Sequence, residues 1–158
     1  MRRQERETKD REAIARIITS CACMRLGFQD NGQVYIVPLN FGYVPSQGRD
    51  TFYFHGAKEG RKMDLIRKNP CVGFEMDTNV SLKEWKAACG HSTYFQSIIG
   101  TGVVSMVEDP EEKRRGLLAI MKQNTGRSGW DLPDAAVDEV CVFKLAVEQL
   151  SCKEHRKD

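Results

Sequence analysis

The tripeptide Asp30-Asn31-Gly32, set between extended runs at 22–28 and 34–37, constrains the fold more than any other feature. Asn and Gly tolerate positive φ, which a tight hairpin turn requires. Ala-Cys-Met-Arg-Leu-Gly-Phe (22–28) and Val34-Tyr35-Ile36-Val37 are therefore predicted to pair as two arms of an antiparallel hairpin. Pro38, which has no N–H, is predicted to end ordinary ladder pairing, with Leu39 to Tyr43 continuing extended. The pattern then repeats. Pro45-Ser46-Gln47-Gly48 forms a turn before a third strand, Thr51 to His55, and Cys71 to Met76 forms a fourth. His91 to Val107 is extended, with Gly100 and Gly102 permitting a strong bend or bulge. Val140 to Leu150 alternates and puts Cys141, Phe143, Leu145 and Val147 on one face. Links this short favour antiparallel pairing. About six such strands predict a mainly β fold, a closed or nearly closed antiparallel barrel with flanking helices.

Three helices complete the reading. Residues 5–20 carry Ile14, Ile17, Ile18 and Cys21 at spacings of three and four. Residues 60–68 form a short helix with Met63, Leu65 and Ile66 inward, stopped by Asn69-Pro70. Asp109-Pro110 opens a helix that runs to about Asn124 and is closed by Gly126. Residues 77–90, with Trp85, are read as a loop or excursion, and 126–136, with Trp130 and Pro133, as a loop. No repeat or linker divides the chain, so the 158 residues are read as one domain with its core at about 11–152.

Composition excludes several classes. The net charge of only +2 on a chain with 29% charged residues argues against a dedicated nucleic-acid binder, which would need a concentrated basic face. Arg2-Arg3 and Arg156-Lys157 read as solvated ends. No apolar run approaches the ~20 residues that span a bilayer, and Met1 to Glu12 lacks the apolar core of a secretory signal. A cytoplasmic protein with reduced thiols is expected. Of the six cysteines, Cys23, Cys71 and Cys141 lie in apolar strand-like runs, where the residue acts as a small hydrophobe. Cys21-x-Cys23 has the wrong spacing for a zinc knuckle or redox pair, and Cys89 with His91 supplies only two ligands, so no metal site is expected.

The chemistry concentrates in Phe52-Tyr53-Phe54-His55-Gly56-Ala57-Lys58-Glu59-Gly60-Arg61-Lys62. An aromatic strand runs into a glycine turn and then a helix that opens on Arg61 and Lys62. Helix N-termini expose unpaired N–H groups and the positive end of a dipole, so two cations there call for an anion. This is the expected anchor of a phosphorylated cofactor. His55, where strand becomes turn, can hydrogen-bond a ring or donate a proton near neutrality.

These residues also carry a family resemblance. Val37-Pro38-Leu39-Asn40-Phe41-Gly42-Tyr43, the 52–62 segment, Asn69-Pro70-Cys71-Val72-Gly73-Phe74 and Tyr94-Phe95-Gln96-Ser97-Ile98-Ile99-Gly100-Thr101-Gly102, in that order, resemble the pyridoxamine 5′-phosphate oxidase-like flavin-binding split-barrel superfamily. Within it the likeness is to nitroimidazole-resistance (Nim) type proteins. The resemblance implies a six-stranded antiparallel split barrel, a homodimer, and FMN at the subunit interface. It assigns the FMN phosphate to Arg61 and Lys62, and the ribityl chain and ring edge to Phe54, His55, Gly56 and Ala57. Pro38, Leu39 and Asn40 would offer backbone groups to the isoalloxazine, with Tyr94, Ser97 and Ile98 as further cofactor contacts. Tyr94 and Trp130 would line the substrate pocket, and His55 would be the catalytic residue. A set of residues for pyridoxamine phosphate is not recognisable. The implied activity is an FMN-dependent oxidoreductase acting on a small electron-poor acceptor such as a 5-nitroimidazole. The alternative is a flavin- or haem-binding module without turnover, whose haem ligand would have to be His55, His91 or His155.

Overall fold

In the computed structural model, which describes residues 3–157, the order of elements follows the predicted alternation. It runs β1 (Glu7–Thr8), α1 (Arg11–Ser20), β2 (Met24–Asp30), β3 (Gln33–Leu39), β4 (Gly42–Val44), β5 (Thr51–Gly56), α2 (Arg61–Lys68), β6 (Cys71–Lys83), β7 (Ser92–Met106), α3 (Pro110–Thr125), α4 (Asp134–Glu139) and β8 (Cys141–His155). One-turn 3-10 helices stand at Gln4–Arg6 and Ala88–Gly90.

All pairings are antiparallel, in the order β3-β2-β6-β7-β8-β5-β4, with β1 added to β8. The end strands β3 and β4 are joined by Asn40 and Phe41 alone. With strands about 4.8 Å apart, a flat sheet in this order would hold those ends nearly ~30 Å apart. A link of that length reaches about 11 Å. The sheet must therefore roll up, and it does so without hydrogen-bonded pairing between β3 and β4 among the described residues. This leaves a barrel with a seam.

Inside it Phe54 stacks on Phe143 with ring centroids 5.2 Å apart, and Phe41 meets Phe52 edge-on at 5.6 Å. Helix α1, capped by the Asp10 carboxylate, buries Ile14, Ile17 and Ile18 in this core. The Gln123 amide of α3 donates to the carbonyls of Ile18, Thr19 and Cys21, satisfying the open end of α1. Helix α3 lies outside on β4 and β5. A Cβ on Gly42 would run into the α3 backbone at Ala119 and Ile120, so only glycine permits that approach. Glu112 of α3 accepts from the Tyr53 hydroxyl at 2.9 Å and from Lys144 Nζ at 2.6 Å, which ties the helix to β5 and β8.

The hairpin turn, the short helix before Asn69-Pro70 and the Asp109–Gly126 caps agree with the sequence reading, as does the irregularity at Thr101/Gly102. Several boundaries differ. Two short strands, β1 and β4, join the six longer ones. The first helix starts at Arg11, not residue 5, because Asp10 caps it and Glu7–Thr8 pair with β8. The first arm of the hairpin runs from 24 to 30. Pro38 does not end the ladder but pairs with Arg25, since β3 is an edge strand and its missing donor costs nothing there. Residues 77–83, read as a loop, continue β6 as an arm paired with β7, and β7 keeps β8 on its other side as far as Phe95. Asn79, at φ 53, marks a bulge between Thr78 and Ser81 that breaks the alternation. Helix α4 was missed because Val137 is its one buried residue. The last strand runs to His155, so that histidine belongs to the sheet and not to a solvated tail. Arg2 of the N-terminal basic cluster lies outside the described residues. Among the described residues no helix is long and apolar enough to cross a membrane.

Candidate functional site

Strand β5 ends at Gly56, and the exposed loop 57–60 leads into α2. Gly60 caps the helix at φ 114 with no side chain over the N-terminus, so the first amides stay open. Lys62 turns back toward the barrel and is half-buried. A Cβ on Gly56 would lie 2.9 Å from its Nζ, and the ammonium sits 5.1 Å from the Phe143 ring centroid. Burial pushes its pKa below the ordinary lysine value. It forms no ion pair among the described residues. A half-desolvated cation with no counter-charge beside open helix amides fits a phosphate.

Arg61 is held differently. Its Nε and Nη2 donate to Asp30 Oδ2 at 3.0 and 2.7 Å, and the guanidinium lies 4.3 Å from the Tyr35 ring centroid. It fastens α2 across the seam to the β2–β3 hairpin. The sequence presents Arg61 and Lys62 as equals, and the structure divides them into a clamp and an unpaired cation. Asp30, the turn residue that makes the difference, gave no sign of this role in the sequence.

The remaining predicted residues fall into separate groups. Gly56 and Ala57 lie at the mouth of α2. His55 is exposed, pairs through the backbone with Val142, and by strand alternation leaves β5 on the face opposite Phe54 and Gly56. The side chains of Phe54 and Ile98 are both fully buried in the core, so only their backbones are available to a ligand. Pro38 and Asn40 are exposed at the far end of β3 from Tyr35, and Leu39 packs against the core. Ser97 stands on the outer face, opposite Asp77 and Lys153. Trp130 closes its own loop, donating Nε1–H to the Arg127 carbonyl at 3.2 Å beneath the Arg127 guanidinium.

Tyr94 belongs to a second cleft of about 450 Å³, lined by Val80, Phe95, His155 and Lys157 among others. Its ring lies 5.0 Å from that of His155, and the ammoniums of Lys83 and Lys157 stand 5.5 and 5.7 Å from its centroid. His155 Nδ1 is 2.7 Å from the Thr93 carbonyl, which as an N–H donor leaves Nε2 with its lone pair. The sequence held Tyr94 and His155 but not their meeting, which depends on the Phe95–His155 register. None of Gly56, Arg61 and Lys62 lines this cleft. Cys89 and His91 are both exposed, with no third metal ligand beside them among the described residues. Burial pushes the thiols of Cys21 and Cys152 up to about 12 and about 11, which makes them inert.

Comparison with known proteins agrees with this architecture. The sequence profile described as pyridoxamine 5′-phosphate oxidase matches residues 10–154. A candidate 5-nitroimidazole antibiotic resistance protein of Bacteroides thetaiotaomicron is 32% identical, with a TM-score of 0.79 over 93% of this chain and 85% of that one. A flavocytochrome of Azotobacter vinelandii (18% identity, TM-score 0.78, 99% of this chain and 72% of that one) shares the fold. So does an FAD- and haem-binding protein of Mycobacterium smegmatis (13% identity, TM-score 0.78, 96% and 74%). No match to a curated protein is found. The seamed antiparallel barrel, the helix mouth after its fifth strand and the matched profile together make this chain a member of the pyridoxamine 5′-phosphate oxidase-like split-barrel family.

Proposed function

We propose that the protein is an FMN-dependent oxidoreductase, a homodimer that reduces a small electron-poor acceptor, with a nitroaromatic such as a 5-nitroimidazole as the specific substrate class. The observation that carries this reading is the unpaired, half-buried Lys62 ammonium against Gly56 at an uncapped helix N-terminus. FMN, when bound, supplies the electron-transfer chemistry. The chain supplies position. Lys62 and the first amides of α2 hold the phosphate, while Arg61, clamped to Asp30, fixes the helix. The backbone from Phe54 to Ala57 lines the ribityl chain, and Pro38, Leu39 and Asn40 present backbone groups to the ring system. His55, exposed and without a side-chain partner among the described residues, donates the proton or orients the acceptor.

A homodimer suits the same layout. Tyr94 lines a cleft without Gly56 or Lys62, and a two-fold partner would bring it, with Ser97 and the backbone of Ile98, to the cofactor. Val34, Ile36 and Ile99 are 72%, 61% and 55% exposed on the outer face of the sheet. Gly27 and Gly73 between them form a floor without side chains. A face of this kind gains by being covered. Tyr94 and Trp130 then line the acceptor pocket. The test is turnover: protein loaded with FMN and given a reductant should consume nitroimidazole or another nitroaromatic. Failure with every nitroaromatic and quinone offered would reject the activity.

A second reading, haem handling without turnover, has one observation in its favour. His155 is oriented through Nδ1, as metal-ligating histidines are, and its cleft has Tyr94 and Phe95 in its walls with Arg156 and Lys157 beside them. A Soret band in protein purified without added cofactor would favour it, and a yellow chromophore released as FMN would favour the first.

A further inference from the structure

The cleft at Tyr94 and His155, of about 450 Å³, lies within the range for small-ligand pockets. It is built by the bulge in β6. Between Thr78 and Ser81 the ladder with β7 slips, and Asn79 and Val80 fall outside the pairing. Asn79 takes φ 53, and its side-chain amide donates to Gln96 Oε1 at 2.6 Å. Bulges re-aim side chains beside sites, and here the bulged residues form one wall of the cleft. The other wall is aromatic. The rings of Tyr94 and His155 lie 5.0 Å apart, and Phe95 meets His155 edge-on at 6.4 Å. The Thr93 carbonyl, 2.7 Å from Nδ1, fixes the imidazole in that wall.

The charge around this wall has one sign. The ammoniums of Lys83 and Lys157 stand 5.5 and 5.7 Å from the centroid of the same Tyr94 ring. Neither forms an ion pair among the described residues. No carboxylate is found among the described residues that line the cleft. The adjacent Glu154 is fully engaged, accepting from the Thr8 hydroxyl and the Gln96 amide at 3.0 Å each and from Arg156. Two unpaired cations beside an aromatic wall fit a flat ligand that carries a negative charge. We infer that the cleft takes a planar aromatic carboxylate, its ring against Tyr94 and Phe95 and its carboxylate at Lys83 and Lys157. The inference rests on the reading that Tyr94 lines the acceptor pocket, and it narrows the acceptor to a nitroaromatic acid.

Calorimetric titration of the full chain with 4-nitrobenzoate and with its neutral isostere 4-nitrobenzamide tests it. The acid is expected to bind at least about tenfold more tightly at low ionic strength, the size of one charge-assisted contact. Added salt should shrink that preference. A Lys83→Gln/Lys157→Gln variant is expected to lose the preference and keep its melting temperature. Equal affinities for the two probes, or binding of neither, overturn the inference. So does a preference that survives in this variant and disappears in Lys62→Ala, which would put the anion at the α2 mouth. Turnover separates the inference from the activity it builds on. A chain that binds the acid through Lys83 and Lys157 yet reduces no nitroaromatic when loaded with FMN rejects the oxidoreductase reading and leaves the acid site standing. A chain that reduces 4-nitrobenzoate with the same KM in the wild type and the double variant keeps the activity and overturns the inference.

Discussion

Lys62 and Arg61 are neighbours in sequence with different physics. Lys62 is unpaired and partly desolvated, so an arriving phosphate relieves an existing cost. Arg61 already has Asp30 and the Tyr35 ring, and only part of its charge is left for a ligand. Arg61→Ala is therefore expected to weaken FMN binding less than Lys62→Ala does, as read by quenching of flavin fluorescence. Equal losses would contradict the division. Because burial lowers the Lys62 pKa, the ammonium loses its proton at lower pH than an ordinary lysine. FMN affinity should accordingly begin to fall earlier on the alkaline side, and a profile that follows an ordinary lysine would count against this. The two cations and the glycines around them were legible in the sequence because their requirements are local. The Asp30 clamp was not, because it joins two segments across the seam.

At the scale of elements, the barrel depends on how α3 is seated. Glu112 is held below the ordinary carboxylate range, chiefly by its bond to Lys144 and also by the Tyr53 hydroxyl, whose own pKa is pushed up to about 12 and which stays a neutral donor. A carboxylate with a depressed folded pKa contributes stability above its unfolded pKa, and that contribution is lost as pH falls through the folded value. Glu112→Gln is expected to cost about 1.5–3 kcal/mol at neutral pH. The gap from the wild type should close as denaturation is measured below the ordinary carboxylate range. A gap independent of pH would mean that packing, not the charge, holds the helix. Capping signals located α3 correctly in the sequence, because Asp109, Pro110 and Gly126 act within one turn. The arm at 77–83 and the end of β8 escaped because their strand character comes from a partner strand. The polar run through Ser81 acquires a ladder only by pairing with β7.

At the scale of the whole molecule, two ends of a sheet joined by Asn40 and Phe41 dictate a rolled barrel, and that much followed from short links in the sequence. The seam, the outer glycine floor at Gly27 and Gly73 and the separate Tyr94–His155 cleft needed the full pairing order. If a partner completes the site, Ile36→Asp on the exposed face should shift sedimentation from dimer to monomer and lower FMN affinity together. A monomer that retains full affinity would separate the interface from the cofactor. The most direct measurement for the account as a whole compares FMN with riboflavin, which lacks only the phosphate, in the wild type and in Lys62→Ala. The account predicts that the wild type prefers FMN by at least about tenfold and that the preference collapses in the variant; equal affinity for the two ligands, or a preference that survives loss of Lys62, would contradict it.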